Sequence, residues 1–489
     1  MSFVYLELDS KTLEAFFFPT VKRHNKVNKR IMNGEFFTKL KSCVFVISML
    51  MLGACGYSPV ESSTNSPSNP NPEPTQPVET ELPTLVHCNG ECQCEANSTS
   101  FNDTGVIFWG DNPTGNLALC NPLDPTSQDC TDGRDSVELQ KIGSGDAGFD
   151  FSKIDQDGSV TDTSNWSCVL DNHTGLMWEV KQSSQSGQWR DAEHSYTWTS
   201  NQIPEYSSAE QGLCSEAGQC DTQRFLDRLN SEKHCGFDDW RLPTKVELQD
   251  LVNYGQFQPS ITAAFFPNAL PRFYWSSTID ADDSKSVWAV GFSYGRVAGT
   301  SSDSPKQIRA VRSHSRTTLE LSKTQLEEEV TLRQRVANKQ RCNLLGRSSA
   351  PIVRYKQNSA GDVYDRVTGL IWKRCLLGQS GVLCEEGTAT KLNWENALAA
   401  AVVENETNPV GTKWRLPNIK ELQSNSELQC EEPPLNPFAF PNVSLDNVWS
   451  STPHPNFEDS TYHYQYQNGI IFYGNRAANN FVHLVRDCG

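Results

Sequence analysis

The ten residues "WRLPTKVELQ" (Trp240 to Gln249) return as "WRLPNIKELQ" (Trp414 to Gln423), 174 residues further on. At the same offset, Phe266-Pro267-Asn268 aligns with Phe440-Pro441-Asn442, and Trp275-Ser276-Ser277-Thr278 with Trp449-Ser450-Ser451-Thr452. Gly295 aligns with Gly469, and Val311-Arg312 with Val485-Arg486, without a gap. Upstream, "DNHTGLMW" (Asp171 to Trp178) matches "DRVTGLIW" (Asp365 to Trp372) at an offset of 194, so the first copy carries an insert that includes "GLCSEAGQCDT". A self-match of this length means two copies of one domain rather than a solenoid of short units.

The phrase itself predicts local structure. Trp-Arg-Leu ends an extended stretch at a proline. Thr244 is followed three residues later by Glu247, and Asn418 by Glu421, the capping-box spacing that opens a helix. Leu248, Leu251 and Val252 then share one helical face. Trp240 and Arg241 read as anchors of that helix, with ligand binding as the alternative. Further on, "VWAVGFSYGRV" alternates Trp288, Val290 and Phe292, and its counterpart "TYHYQYQNGII" puts Tyr462, Tyr464 and Tyr466 at the same positions. Asn468-Gly469 predicts a two-residue hairpin turn. The three tyrosines form either a sugar-stacking platform or a core face, like their Trp/Val/Phe equivalents. Short helices, hairpins and long loops predict an α+β domain.

The N-terminal region predicts the compartment. Residues 43–54, "CVFVISMLMLGA", form an apolar run behind Lys39 and Lys41 that is too short for a membrane helix but suits a signal peptide. Its end, "LGAC", resembles the lipobox of bacterial lipoproteins, which implies lipidation at Cys55 and a membrane partner. Met32 gives a lead of normal length, so residues 1–31 read as an extension upstream of the true start and residues 32–54 as the signal peptide. Gly56 rather than Asp resembles the pattern that directs lipoproteins to the outer membrane. Residues 55–86 are rich in Ser, Pro, Asn and Thr, the composition of a disordered tether. Domain one then covers 87–315 with a Cys-rich lead-in, a partly helical connector 316–344, and domain two 345–489.

Within the repeat, "TGLMW", "DWRLPT", "YWSST" and the closing "VR", led by "GFDFSKID", resemble the Lcl-type C-terminal domain of bacterial surface proteins. The resemblance implies a C-type-lectin-like fold in tandem and a binding or adhesion role toward a glycan or a protein. Its best-known setting, a collagen-like adhesin, binds sulfated glycans. A net charge of -17 departs from what that ligand requires and also excludes nucleic acid as a partner. The alternative is an enzyme or enzyme accessory of the formylglycine-generating superfamily, which shares the RLPT phrase. Against it, no Cys is common to both copies, and GxSxG, HExxH and P-loop motifs are absent. No catalytic residue, cofactor or metal is assigned. "DQDG" (Asp155 to Gly158) and "DADD" (Asp280 to Asp283) are acidic enough for Ca²⁺ but complete no EF-hand spacing, so they read as solvated turns.

Sixteen cysteines point to disulfides and an oxidising compartment. Setting Cys43 and Cys55 aside leaves fourteen. Cys430 and Cys488 have no cysteine counterpart in the first copy, nor Cys168 and Cys235 in the second, which predicts Cys430–Cys488 and Cys168–Cys235. Cys214–Cys220, Cys375–Cys384 and Cys120–Cys130 are predicted to close short loops. Cys88, Cys92, Cys94 and Cys342 stay unassigned.

Overall fold

The computed structural model describes residues 85–88, 92–94, 101–111, 115–119, 128–132, 141–183, 187–281, 283, 285–313, 340–342, 348–407 and 412–488. All of them belong to one compact unit that begins at Thr80. Cys55, the signal segment, the tether up to 84, Cys120 and the connector up to 339 lie outside the described residues, and at the end of the predicted tether Leu85 is buried and Val86 is in a strand.

The first copy runs β1 (Phe151–Ile154), β2 (Cys168–Asp171), β3 (Leu176–Glu179), α1 (Thr222–Ser231), α2 (Lys245–Asp250), β4 (Phe273–Ile279), β5 (Ser286–Gly291), β6 (Arg296–Ser301) and β7 (Val311–Ser313). The second repeats it as β8 (Tyr355–Gln357), β9 (Val363–Asp365), β10 (Leu370–Trp372), α3 (Trp394–Thr407), α4 (Ile419–Ser424), β11 (Asn447–Pro453), β12 (Ser460–Gln465), β13 (Ile471–Asn475), β14 (Asn480–Phe481) and β15 (Val485–Asp487). The fold is mostly sheet with a few short helices, hence α+β. Among the described residues, no helix is long and apolar enough to cross a membrane.

The repeated sequence explains the repeated geometry. Each Asp-x-x-Thr-Gly closes a hairpin: Asp171 accepts the N–H groups of His173 and Thr174, and Asp365 that of Val367. In each Trp-Arg-Leu-Pro phrase, an asparagine grips the backbone of the buried Trp. Asn230 exchanges two hydrogen bonds with Trp240 (2.7 and 2.9 Å), as Asn405 does with Trp414 (2.7 and 2.8 Å). Arg241 then meets Glu247 with both terminal nitrogens (2.8 and 2.9 Å), and Arg415 meets Glu421 (both 2.6 Å). The same glutamates accept the N–H of Thr244 and Asn418, completing both capping boxes. The shared Arg and Glu therefore fasten each helix to its domain.

The two copies are not separate beads. Strands β4-β5-β6 and β13-β12-β11 form one sheet, extended past β11 by β14 and the short strand Lys391–Leu392. β6 and β13 pair antiparallel with Val297 opposite Ile471, its own counterpart at the 174-residue offset. A pseudo-twofold axis therefore passes between these two residues, as at an isologous dimer interface. The core is shared across it: Leu248, Val252 and Phe292 belong to one buried cluster with Leu422, Tyr464 and Ile471. The predicted two-residue turn at Asn468-Gly469 is instead a longer loop, closed by the Gly469 N–H on Gln465 O (2.8 Å), and the Gly295 N–H does the same to Gly291 O (2.9 Å). At Gly295 (φ 70°) an added Cβ would fall 2.4 Å from the Tyr254 ring.

The lead-in, assigned from sequence to the first domain, touches both copies. Val86–His87 adds parallel to β8, and Gln128 donates to Leu398 O and accepts the Leu416 N–H. Asn102 caps Asp171 in the first copy. The disulfides follow the same layout. Cys168 is bonded to Cys235, Cys214 to Cys220 and Cys375 to Cys384. The predicted Cys430–Cys488 bond is corrected: Cys430 joins Cys342, and Cys488 joins Cys94. Both partners sit outside the aligned repeat, where a comparison of the copies had nothing to compare. Cys88 joins Cys92, and Cys130 is also disulfide-bonded.

Asp129 lies fully inside this junction, taking hydrogen bonds from Thr104 (3.0 Å) and Ser451 (3.0 Å). Burial, and after it the charge of Asp103, pushes its pKa up from 3.8 to about 7. A raised carboxyl pKa gives stability that is present below the unfolded value and is lost as pH rises through the folded one. Stability should therefore fall between about pH 4 and pH 7, with an upper limit on the order of 4 kcal/mol from this group. Denaturant unfolding of wild type and Asp129→Asn at both ends of that window checks this: the variant should lose most of the decline. Equal slopes in the two proteins would refute it.

Candidate functional site

The tyrosine stripe is not a platform. Tyr462, Tyr464 and Tyr466 are 1%, 0% and 1% exposed. Tyr462 is turned onto the first copy, where Tyr254 meets it edge-on at 4.7 Å, while Tyr464 and Tyr466 pack against each other at 5.8 Å. Each hydroxyl has a partner inside: Tyr294 O for Tyr462 (2.7 Å), Ser426 for Tyr464 (2.5 Å) and His483 for Tyr466 (2.6 Å). The acidic runs are turn closers. Asp155 accepts the N–H groups of Asp157 and Ser159, and Asp283 accepts from Lys285 and Ser286. Among the described residues, the one group with metal-ligand spacing is Cys168, His234 and Cys235, and its two cysteines are bonded to each other.

A different set of rings reaches the surface, at one end of the seam between the copies. Tyr294 comes from the β5–β6 turn and Phe257 from the loop after α2. Phe457 comes from the β11–β12 turn, and Phe472 and Tyr473 from β13. Phe472 is exposed and the other four are half-buried. The ring planes of Tyr294 and Phe457 lie 26° apart at 6.4 Å, those of Phe457 and Tyr473 27° apart at 5.4 Å, and those of Phe472 and Tyr473 23° apart at 6.1 Å. Phe257 closes on Tyr294 at 5.2 Å.

The buried tyrosines matter here as supports, since Tyr462 holds the backbone of Tyr294 from below. His454 lies beneath the cluster, 4.6 Å from Phe457 and 4.5 Å from Tyr473. Its Nδ1 accepts the N–H groups of Asn456 and Phe457 (3.2 and 3.1 Å), and burial pushes its pKa down to about 4. The imidazole is therefore neutral and packs as one more ring.

The cluster occurs once. At the 174-residue offset, Tyr294 corresponds to Asn468, His454 to Asp280, Phe457 to Asp283, Phe472 to Ala298 and Tyr473 to Gly299. The other end of the seam therefore has no such surface. Sequence reasoning missed the cluster because it sought residues common to both copies. The available signal was the reverse: aromatic positions in one copy facing Asp, Ala and Gly in the other. A second recess, between Trp189, Phe225 and the Cys214–Cys220 loop, is a weaker candidate. Its Arg224 is taken up by Glu210 and Asp221, and its Arg228 by Glu216 and Glu232.

One family matches the chain in two segments, residues 167–312 and 361–486, and it is described as the Lcl C-terminal domain. The chain belongs to that family. Comparison with curated proteins and with solved structures found no match. Each Lcl segment spans one copy of the repeat, from the hairpin that carries Asp171 or Asp365 to the last strand. The lead-in lies outside both segments. The aromatic seam draws on both: Phe257 and Tyr294 fall in the first Lcl domain, and Phe457, Phe472 and Tyr473 in the second.

Proposed function

We propose that this chain is a lipoprotein of the outer membrane, anchored through Cys55, whose paired lectin-like Lcl domains act as a binding or adhesion module. Supporting the location are the apolar run ending in "LGAC" and the Ser/Pro/Asn tether behind it. The observation that carries the binding role is the seam: five partly exposed rings, supplied by both domains and braced by a buried Tyr462 and His454. Partly solvated rings that touch one another along one seam mark an interaction site.

The test is a glycan array probed with the full chain and with a Tyr294→Ala/Tyr473→Ala variant. Both side chains are partly solvated, so the fold should survive their truncation. Wild type should bind at least one glycan class, and the variant should lose at least about tenfold in affinity, as for truncation of anchoring aromatics elsewhere. Binding that the variant retains in full would remove the seam from the account.

A further inference from the structure

The residues around the rings select among glycans. The exposed side chains beside the cluster are Gln256, Gln258, Asn456, Glu458 and Asp459. Gln258 Nε2 donates to the Tyr294 hydroxyl (3.3 Å), which places it at the edge of the aromatic surface, and Asp459, two residues after Phe457, is held by Asn475 Nδ2 (2.9 Å). Amides and carboxylates of this kind exchange hydrogen bonds with vicinal hydroxyls. Among the described residues the cation beside the cluster is Arg296, whose guanidinium lies over the Phe472 ring at 4.7 Å. A sulfated chain carries repeated negative charges, and its binding rests on a matching run of Lys and Arg. Here it would meet Glu458 and Asp459 on a molecule whose net charge is -17.

We infer that the seam takes an uncharged polysaccharide of hexose units, whose apolar C–H faces lie against the rings while its hydroxyls meet the Gln, Asn, Glu and Asp rim. This rests on the binding role proposed above and narrows it to a ligand class. Because the rings stand on one side of the pseudo-twofold axis, and the equivalent positions on the other side are Asn468, Asp283, Ala298 and Gly299, each chain offers one such site and not two. The rings, not charge, supply the attraction, so binding persists at high salt.

Calorimetric titration of the full chain with cellohexaose, laminarihexaose, chitohexaose and a heparin hexasaccharide, each at low and at high salt, tests this. At least one neutral hexamer should bind with one site per chain and with an affinity that changes less than about twofold with salt. The Tyr294→Ala/Tyr473→Ala variant should weaken it at least about tenfold. Binding of heparin alone, lost in that variant, would overturn the ligand class and leave the seam as the site. A neutral hexamer bound equally well by the variant, or bound at two sites per chain, would overturn the placement. Silence of all three neutral probes overturns the inference, while the effect of the variant on the array decides the binding role separately.

Discussion

Truncating Glu179 to alanine is expected to cost about 3–5 kcal/mol of folding stability, because it strands buried cations. Glu179 ends β3 with its side chain wholly inside. Lys181 Nζ stands 3.2 Å from its carboxylate and an Arg190 nitrogen 4.0 Å away. Arg309, also buried, donates to the Glu179 carbonyl (2.8 Å) and spreads over the Phe266 ring at 4.7 Å. Burial by itself would raise the glutamate's pKa, but these three cations outweigh it and hold the group below its ordinary value. Burial also pushes Lys181 down to about 8 and His234 down to about 4. One carboxylate thus balances more positive charge than its own, in a place where water cannot screen it. At the corresponding position the second copy has Lys373, which is partly solvated and pairs with Glu404 (2.8 Å) and Asp362 (3.5 Å). Lys373→Ala should cost no more than about 1 kcal/mol, the range of exposed pairs. Urea denaturation of the two variants makes the comparison. A Glu179 loss as small as the Lys373 loss would show that the cations relax or shed their protons instead. Glu179→Gln, which keeps the volume, should lose most of what alanine loses.

How much was legible in the sequence depended on the range of the interaction. Thr244 with Glu247 and Asn418 with Glu421 specify their caps within one helical turn, and the Trp240 and Trp414 anchors follow from the phrase beside them. The shared Arg241 and Arg415, read from sequence as anchors or as ligand contacts, turn out to clasp those same glutamates. The pairing of Val297 with Ile471 has no local signal, since either strand satisfies its own hairpin without the other. The same gap hid the fate of the tyrosines. Alternation of Tyr462, Tyr464 and Tyr466 says that one face is special, but not whether water or the protein interior covers it. The disulfides divide in the same way. Short loops such as Cys375–Cys384 close on spacing alone, whereas Cys342 and Cys94 reach across from segments that have no counterpart in the repeat. The seam was the least legible feature, because it is assembled from unshared residues of two copies whose contact was itself unforeseen.

Replacing both Cys94 and Cys488 by serine should produce the largest loss of any cross-link among the described residues. The bond joins residues 394 apart and fixes the lead-in to the end of the second copy. In the chain-entropy picture a loop of that size is worth about 6 kcal/mol, less whatever the cross-links inside it already remove. Cys214–Cys220 spans 6 residues, and the same relation gives it about 2 kcal/mol. Without the longer bond, residues 85–94 are held by the two-residue pairing of Val86–His87 with β8, the Cys88 N–H on Gln357 O (2.8 Å) and the burial of Leu85 and Cys92, whereas Asn102, Asp103, Gln128 and Asp129 stay bonded inside the junction. The first set is small enough for residues 85–94 to open before the shared sheet does. Thermal unfolding should therefore rank the Cys94→Ser/Cys488→Ser protein well below the Cys214→Ser/Cys220→Ser protein. Limited proteolysis should cut the former first within the lead-in, at temperatures where β4 to β7 and β11 to β15 remain protected. The reverse ranking, or simultaneous cleavage throughout, would mean that residues 85–94 too are an integral part of the core and not a strap tied across it.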